Sequence, residues 1–460
     1  KVIIDLFLLF IQNQQGQLLG TKEGQTSAFY DVPYGSNQGR FKHVGAPIYW
    51  TGVRDARQPG VIFKQGPNRL ASVMGSKPGE KNQSEDAFRL NVWTPDVRGK
   101  KPVLFWIHGG GFLTGGGALS WYDARHLAEN GDVVVVTVNY RLGVFGNLRL
   151  PGISDGNLAL NDLITALKWV KRHISAFGGD PEQVTVAGQS AGAWYSLALL
   201  ASDESYQLFN RLGLMSFPGS VEALSAENAQ LLASLLLSHF NLSSNQASKL
   251  LDVADDELIA AQGAVTLAMQ KRTHDYVPTG FIPMIDGKLL KADIISEAVR
   301  HAQGHVAIFG GTTTHETTSF FHQTPQSKKA DYLDFIATST TTIFTEPTSR
   351  LFKAMADRHN DVFQYVMAYP AADPNILACH CIELPFIFDN FEMWDNAPML
   401  AGMDQLSAQQ LAQQMQSYFY QFIKYGNPNV APNLTWPKLT SNDSETMVFN
   451  KTSSIQRIVE

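Results

Sequence analysis

Short apolar runs alternate along this chain with longer segments of helical period. Val103 to Ile107, Val133 to Val138, Val184 to Ala187, Leu212 to Met215, Val306 to Gly310 and Val362 to Met367 read as strands. Most are continuous rather than alternating, which suits strands covered on both faces of a parallel sheet. Helical patterns span Ala159 to Phe177, Ala191 to Ala201, Ala226 to His239 and Leu411 to Tyr425. Gly178-Gly179-Asp180-Pro181 closes the first and Gly426-Asn427-Pro428 the last, because left-handed caps and missing amides end helices. The alternation predicts an α/β fold with a mostly parallel central sheet and helices on both faces. No repeat and no Pro/Gly/Ser-rich linker interrupts it, so residues 1–460 are expected to form one domain. Stretches 240–275 and 323–350 are rich in Ala, Ser, Thr, Gln and Leu without strand signal. They predict helical or irregular insertions over one end of the sheet, where lids and specificity loops sit.

Composition narrows the function. The 460 residues are 44% hydrophobic and 17% charged, enough apolar material for a large core. A net charge of −6 without any basic block argues against nucleic acid as a partner. No apolar run reaches the roughly 18 residues of a membrane span, which predicts a soluble protein. Val2 to Ile11 is apolar after a lysine, like a secretory core, but Asp5 interrupts it and no small-residue cleavage site follows. It reads first as an N-terminal strand and second as a signal remnant. The expected compartment is accordingly cytoplasmic, or periplasmic or secreted in the second case. Cys379 and Cys381 are the only cysteines, one residue apart, which excludes a disulfide framework. The N-x-[ST] sequons at Asn82, Asn241, Asn433, Asn442 and Asn450 arise readily by chance in so long a chain and decide nothing about secretion.

Candidate chemistry centres on "VTVAGQSAGA", residues 184 to 193. A strand runs into a helix through Gly188-Gln189-Ser190-Ala191-Gly192 with almost nothing between. So sharp a reversal forces Ser190 into strained backbone at a helix N-terminus, where the Ala191 amide favours developing negative charge. The plainer use of a serine there is an N-cap. Upstream, "FWIHGGGF" (105 to 112) follows another strand with glycine amides that no side chain blocks, as an oxyanion hole requires. Neither phosphate-binding glycine motif occurs, which sets a nucleotide site aside. A nucleophile of this kind needs an acid and then a base, in that order. Glu316 follows the run ending at Gly310-Gly311; Asp286 after "GFIPMI" is the alternative, and spacing alone leaves both open. Among His322, His359 and His380, the last follows a strand across a short polar loop and is favoured as base. Glu383 beside it lacks a second histidine at ligand spacing, so no metal site is expected.

Ordered motifs over nearly the whole chain resemble the type-B carboxylesterases, the α/β-hydrolases that include the cholinesterases. They are "QGQLLGT" (15–21), "SEDAFRLNVWTP" (84–95), "HGGGF" (108–112), "VVVVTVNYRLGVFG" (133–146), "GNLALND" (156–162), "AFGGDPEQVTVAGQSAGA" (176–193), "PMIDG" (283–287), "CHCIELPFIF" (379–388) and "YGNPN" (425–429). "HCIELPFIFDN" and the modest length resemble the bacterial branch most. The resemblance implies Ser190 as nucleophile, Glu316 as acid, His380 as base, and Gly110, Gly111 and Ala191 as oxyanion donors. It further implies buried ion pairs Arg40–Glu85 and Arg141–Asp162 at the sheet ends, and Ser216 as a support for the acid. No cofactor is implied.

The departures bear on substrate. Ala87 stands where the family has a cysteine and Phe63 at the partner position, so the loop between is unbridged, and residues 64 to 86 contain no aromatic. Cholinesterases hold a quaternary ammonium by cation–π attraction to a tryptophan on that loop, so choline recognition is not expected. Gln189 replaces the usual glutamate, removing a negative charge. Val277 and Thr279 stand where cholinesterases narrow the acyl pocket with aromatics, which implies a roomier pocket beside Phe112; Thr317 stands where glycine usually follows the acid. The expected activity is hydrolysis of uncharged carboxylic esters with short-to-medium acyl parts. Thioesterase, amidase or lactonase chemistry would use the same triad, and a non-enzymatic binding module would be expected to have lost the serine or histidine.

Overall fold

The computed structural model describes residues 9–273, 280–440 and 444–457. Its main sheet has 13 strands. In chain order they are β1 (Leu9–Gln12), β2 (Gln17–Glu23), β3 (Thr26–Pro33), β4 (Val53–Asp55), β5 (Arg89–Thr94), β6 (Lys101–Ile107), β7 (Val134–Val138), β8 (Gly179–Gln189), β9 (Arg211–Met215), β10 (Ala307–Thr313), β11 (Asp361–Met367), β12 (Glu445–Phe449) and β13 (Ser454–Arg457). The spatial order is β1-β2-β3-β5-β7-β6-β8-β9-β10-β11-β12-β13, with β4 beside β2. From β7 to β12 every pairing is parallel; the margins, β1, β2, β3, β5 and β13, pair antiparallel with their neighbours along that order, while β4 pairs parallel with β2. The six interior strands expected all lie in the parallel part, whereas the N-terminal strand read at Val2 to Ile11 overlaps β1 in the antiparallel margin, with residues 2–8 outside the described residues.

Continuous apolar strands divide their side chains between the faces, since successive residues point opposite ways. Val103, Phe105 and Ile107 of β6 join one core and Leu104 and Trp106 the other. The first core packs on helices Leu158–His173 and Ala191–Ala201, the second on helix Gln405–Tyr425. Ala191–Ala201 is buried at every position, so it is apolar all round. The helix read to Phe177 ends as a 3-10 turn over Ile174–Phe177, and the one read from Leu411 begins at Gln405. The 240–275 insertion holds helix Asp255–Thr273, which forms a third, smaller core with helix Ala226–His239. The 323–350 stretch is helical too, with a π turn at Thr341–Thr345.

Both expected ion pairs form, but only Arg141–Asp162 is buried; Arg40–Glu85 is half-buried. Arg141 binds Asp162 with Nη2 at 2.7 Å and Nε at 2.9 Å, the acid fully buried. Arg40 binds Glu85 at 2.5 Å and also Asp255 at 2.8 Å, tying the N-terminal loop to the start of the insertion helix. Where the family's disulfide would lie, Phe63 and Ala87 are buried instead, with Phe63 edge-on to Phe88 at 5.0 Å. Apolar packing replaces the bridge. Among the described residues no helix is long and apolar enough to cross a membrane.

Candidate active site

The carboxyl ends of β6, β8, β10 and β11 lead to the four segments of interest: His108–Phe112, Ser190, Glu316 and His380. In parallel sheets this edge is where ligands bind. Ser190 follows β8 directly, with φ 59° and ψ −126°, a sparsely populated conformation for a residue with a side chain. Its N–H donates to Met215 O at 2.8 Å and its carbonyl accepts from Trp194, so the backbone is held from both sides. The hydroxyl makes no cap hydrogen bond, which sets the N-cap role aside. The turn closes only with small neighbours: a Cβ on Gly192 would lie 2.0 Å from Ile107 O, and one on Gly188 would lie 2.4 Å from Gly192 C.

His108–Phe112 runs beside this elbow. Gly110 has φ 120°, and a Cβ there would lie 1.9 Å from Thr114 O, so only glycine fits. His108 anchors the loop: its ring stacks on Tyr140 at 4.4 Å, its Nδ1 lies 2.7 Å from Gly109 O, and burial drives its pKa down to about 4. It is therefore neutral at working pH.

His380 is buried, with Nδ1 2.5 Å from Glu316 Oε2. Glu316 Oε1 accepts the Thr313 N–H at 2.8 Å, which fixes the carboxylate. A carboxylate at Nδ1 puts the imidazole proton there and leaves Nε2 as the acceptor. Gln189 Nε2 lies 3.3 Å from His380 Nε2, and the Cys381 thiol donates to Gln189 Oε1 at 3.5 Å. Phe320 and Phe344 flank the ring. Asp286, the other acid left open by spacing, instead accepts from Asn157 Nδ2 and from the Lys288 and Leu290 amides in its own turn.

Ser190, Gly110, Gly111, Ala191, Phe112 and Gln189 line one cavity of about 640 Å³. Ring and aliphatic side chains, among them Trp121, Tyr122, Phe320 and Phe344, make much of its remaining wall. Val277 and Thr279 lie outside the described residues. Among the described residues no three His, Cys, Asp or Glu side chains are grouped as metal ligands would be. Three members of the wall had no sequence signal beyond their neighbourhood: Arg69 on the unbridged loop, Cys381 beside His380, and Phe344 in the second insertion. Phe320, one helical turn after Glu316, could have been found from that spacing. Thr317 has φ −81°, which needs no glycine, and its hydroxyl meets Ser339 Oγ at 2.7 Å.

One expectation is corrected. Ser216 does not support Glu316: its Oγ donates to Glu383 Oε1 at 2.9 Å. Ser216 has φ 51° with its N–H held by Gly311 O, which turns the side chain toward the turn after His380. Glu383 is fully buried, and among the described residues its Oε2 has no hydrogen-bond partner. Desolvation, with Glu316 nearby, raises its pKa from 4.5 to about 7. The folded state then binds more protons than the unfolded one between these values, so this group costs stability as pH rises through that window. Glu383→Gln should gain on the wild type by about 2 °C or more in melting temperature at pH 8 relative to pH 5. Thermal unfolding at both pH values checks this, and an equal difference at each would refute it.

Comparison with known proteins identifies the family. The carboxylesterase family model matches residues 9–334 and 321–460. A para-nitrobenzyl esterase of Bacillus subtilis is 30% identical over 97% of this chain and 96% of its own length. A phenmedipham hydrolase of Pseudarthrobacter oxydans is 30% identical over 94% of this chain and 93% of its own. Among solved structures, a thermophilic PNB esterase superposes with a TM-score of 0.86 at 30% identity, covering 97% of both chains. The chain belongs to the carboxylesterase family, as an α/β-hydrolase that cleaves carboxylic esters.

Proposed function

We propose that residues 1–460 act as one domain that hydrolyses uncharged carboxylic esters of short-to-medium acyl length through an acyl-enzyme on Ser190. The observation that carries this reading is the strained Ser190 on the cavity wall, next in the chain to Gln189, whose side-chain amide lies 3.3 Å from His380 Nε2 of the buried Glu316–His380 pair. His380 Nε2 takes the Ser190 proton as Oγ attacks the carbonyl, while Glu316 orients the imidazole and stabilises its cation. The amides of Gly110, Gly111 and Ala191 hold the oxyanion. The alcohol leaves with the proton from His380, and water repeats the sequence on the acyl-enzyme. Phe112 and Gln189 border the substrate, with Val277 and Thr279 assigned to the acyl side. The Bacillus relative is named for para-nitrobenzyl esters, an aromatic group that the rings of this wall could face.

The test is covalent labelling with a fluorophosphonate. Mass spectrometry should find one adduct, on the Ser190 peptide. Gly110→Ala should slow labelling and lower kcat/KM about 10²–10³-fold, because the new methyl displaces the donor loop. Labelling elsewhere, or an undiminished rate in Gly110→Ala, would overturn the assignment.

A further inference from the structure

We propose that the Gln189 side chain covers the base in the free enzyme, with the Cys381 thiol as its latch, and swings aside before His380 takes the Ser190 proton. The proposal rests on the Ser190–His380 reading above. His380 is fully buried and is not among the described residues that line the cavity, whereas Ser190, Gln189 and Cys381 are. Gln189 Nε2 lies 3.3 Å from His380 Nε2 and is, among the described residues, the one side-chain atom hydrogen-bonded to it. The nucleophile thus faces the cavity while the nitrogen assigned to receive its proton is held by a neighbour.

The orientation of the amide follows from its two partners. Glu316 at Nδ1 leaves His380 Nε2 with a lone pair. An N–H donor satisfies that lone pair, and an amide oxygen in the same place would be repelled by it. Gln189 Oε1 therefore points away, and it accepts from the Cys381 thiol at 3.5 Å. Burial pushes the thiol pKa well up, so the sulfur keeps its proton and remains a donor. Cys381 holds φ 76°, an uncommon conformation for a residue with a side chain, directly after the base in the chain.

The cover is weakly held and has room to leave. A neutral hydrogen bond is worth about 2- to 10-fold in an equilibrium constant, and a thiol is a weak donor. Gln189 borders the cavity of about 640 Å³, which takes the displaced amide. On the other side a Cβ at Gly109 would lie 2.9 Å from Gln189 Oε1, so glycine there admits the amide beside the donor loop. Once the amide leaves, Ser190 Oγ approaches Nε2, and its O–H bond breaks toward the imidazole as the Oγ–carbonyl bond forms. A glutamate at 189 could not cover the base in this way, since a carboxylate donates nothing to a neutral imidazole. The departure from the family at this position thereby acquires a role.

Fluorophosphonate labelling of the wild type, Gln189→Met, Cys381→Ala and the double variant tests this. Methionine keeps the length of the side chain and removes the donor. Gln189→Met should raise the second-order rate of Ser190 labelling about 3- to 10-fold, the worth of one neutral hydrogen bond. Cys381→Ala should raise it about twofold, and should add nothing in the Gln189→Met background, because the thiol acts only through the amide. The gain should appear in the limiting rate at saturating reagent, with the half-saturating concentration unchanged, which a merely loosened cavity wall would not produce. An unchanged or lower rate in Gln189→Met, a gain confined to the half-saturating concentration, or an equal effect of Cys381→Ala in both backgrounds overturns the proposal. If Gln189→Met does not fold, an unchanged rate in Cys381→Ala alone overturns it. A wild type that the reagent leaves unlabelled at Ser190 would instead defeat the Ser190 reading itself.

Discussion

Replacing Ser190 by alanine should lower kcat/KM for p-nitrophenyl esters by about 10⁴–10⁶-fold while leaving the fold intact. Alanine removes one oxygen and adds nothing, and the Ser190 hydroxyl makes no cap hydrogen bond whose loss would weaken the helix. The backbone contacts to Met215 and Trp194 remain. His380→Ala should cost a comparable factor, and the double variant little more than either single one, because a base without its nucleophile does nothing. Rates from acetate to laurate, beside melting curves for each variant, measure both effects. The proposed acyl range places the wild-type optimum at short-to-medium chains. A Ser190→Ala loss below tenfold would remove this serine from the chemistry, and a loss accompanied by unfolding would leave the effect structural.

The largest stability effect is expected at Asp162. Burial raises its pKa in spite of Arg141, so the pair itself contributes little net stabilisation. Removing one partner is a different matter. Arg141 spends Nε and Nη2 on Asp162, and its backbone N–H also donates there at 3.1 Å. Asp162→Ala would strand a guanidinium that is almost fully buried and cost about 3–5 kcal/mol. Asp162→Asn should cost less, since one oxygen can still accept. Chemical unfolding of the three proteins decides this, and an Asp162→Ala cost under about 1 kcal/mol would mean that Arg141 finds other acceptors.

Much of the fold was legible along the chain because the parallel strands bury both faces. A continuous apolar run such as 133–138 has few other uses, and helices Ala191–Ala201 and Ala226–His239 have the bounds their periodicity predicts. Apart from the N-terminal strand, the antiparallel margins escaped. Strands such as Gln17–Glu23 expose part of one face, mix lysine, glutamine and glutamate with leucine, and derive their pairing from neighbours rather than from their own apolarity. Resemblance alone flagged the "QGQLLGT" segment, without revealing its register.

The elbow and the glycine loop were readable for a local reason: a sharp strand-to-helix reversal and a crowded backbone select glycine within a few residues, whatever the rest of the chain does. Contacts between distant segments carry no such mark. Glu316 and His380 are 64 residues apart, and no spacing distinguished Glu316 from Asp286 until the sheet brought two strand ends together. Ser216 is 167 residues from Glu383, and a backbone angle at Ser216 redirected a hydroxyl expected to serve Glu316. Arg69 meets Gly111 across a loop whose disulfide has become apolar packing. Backbone sterics act between neighbours and leave their trace in short motifs, whereas pairing of charges and hydroxyls depends on which loops fold over the same sheet edge, and only the assembled tertiary structure decides that.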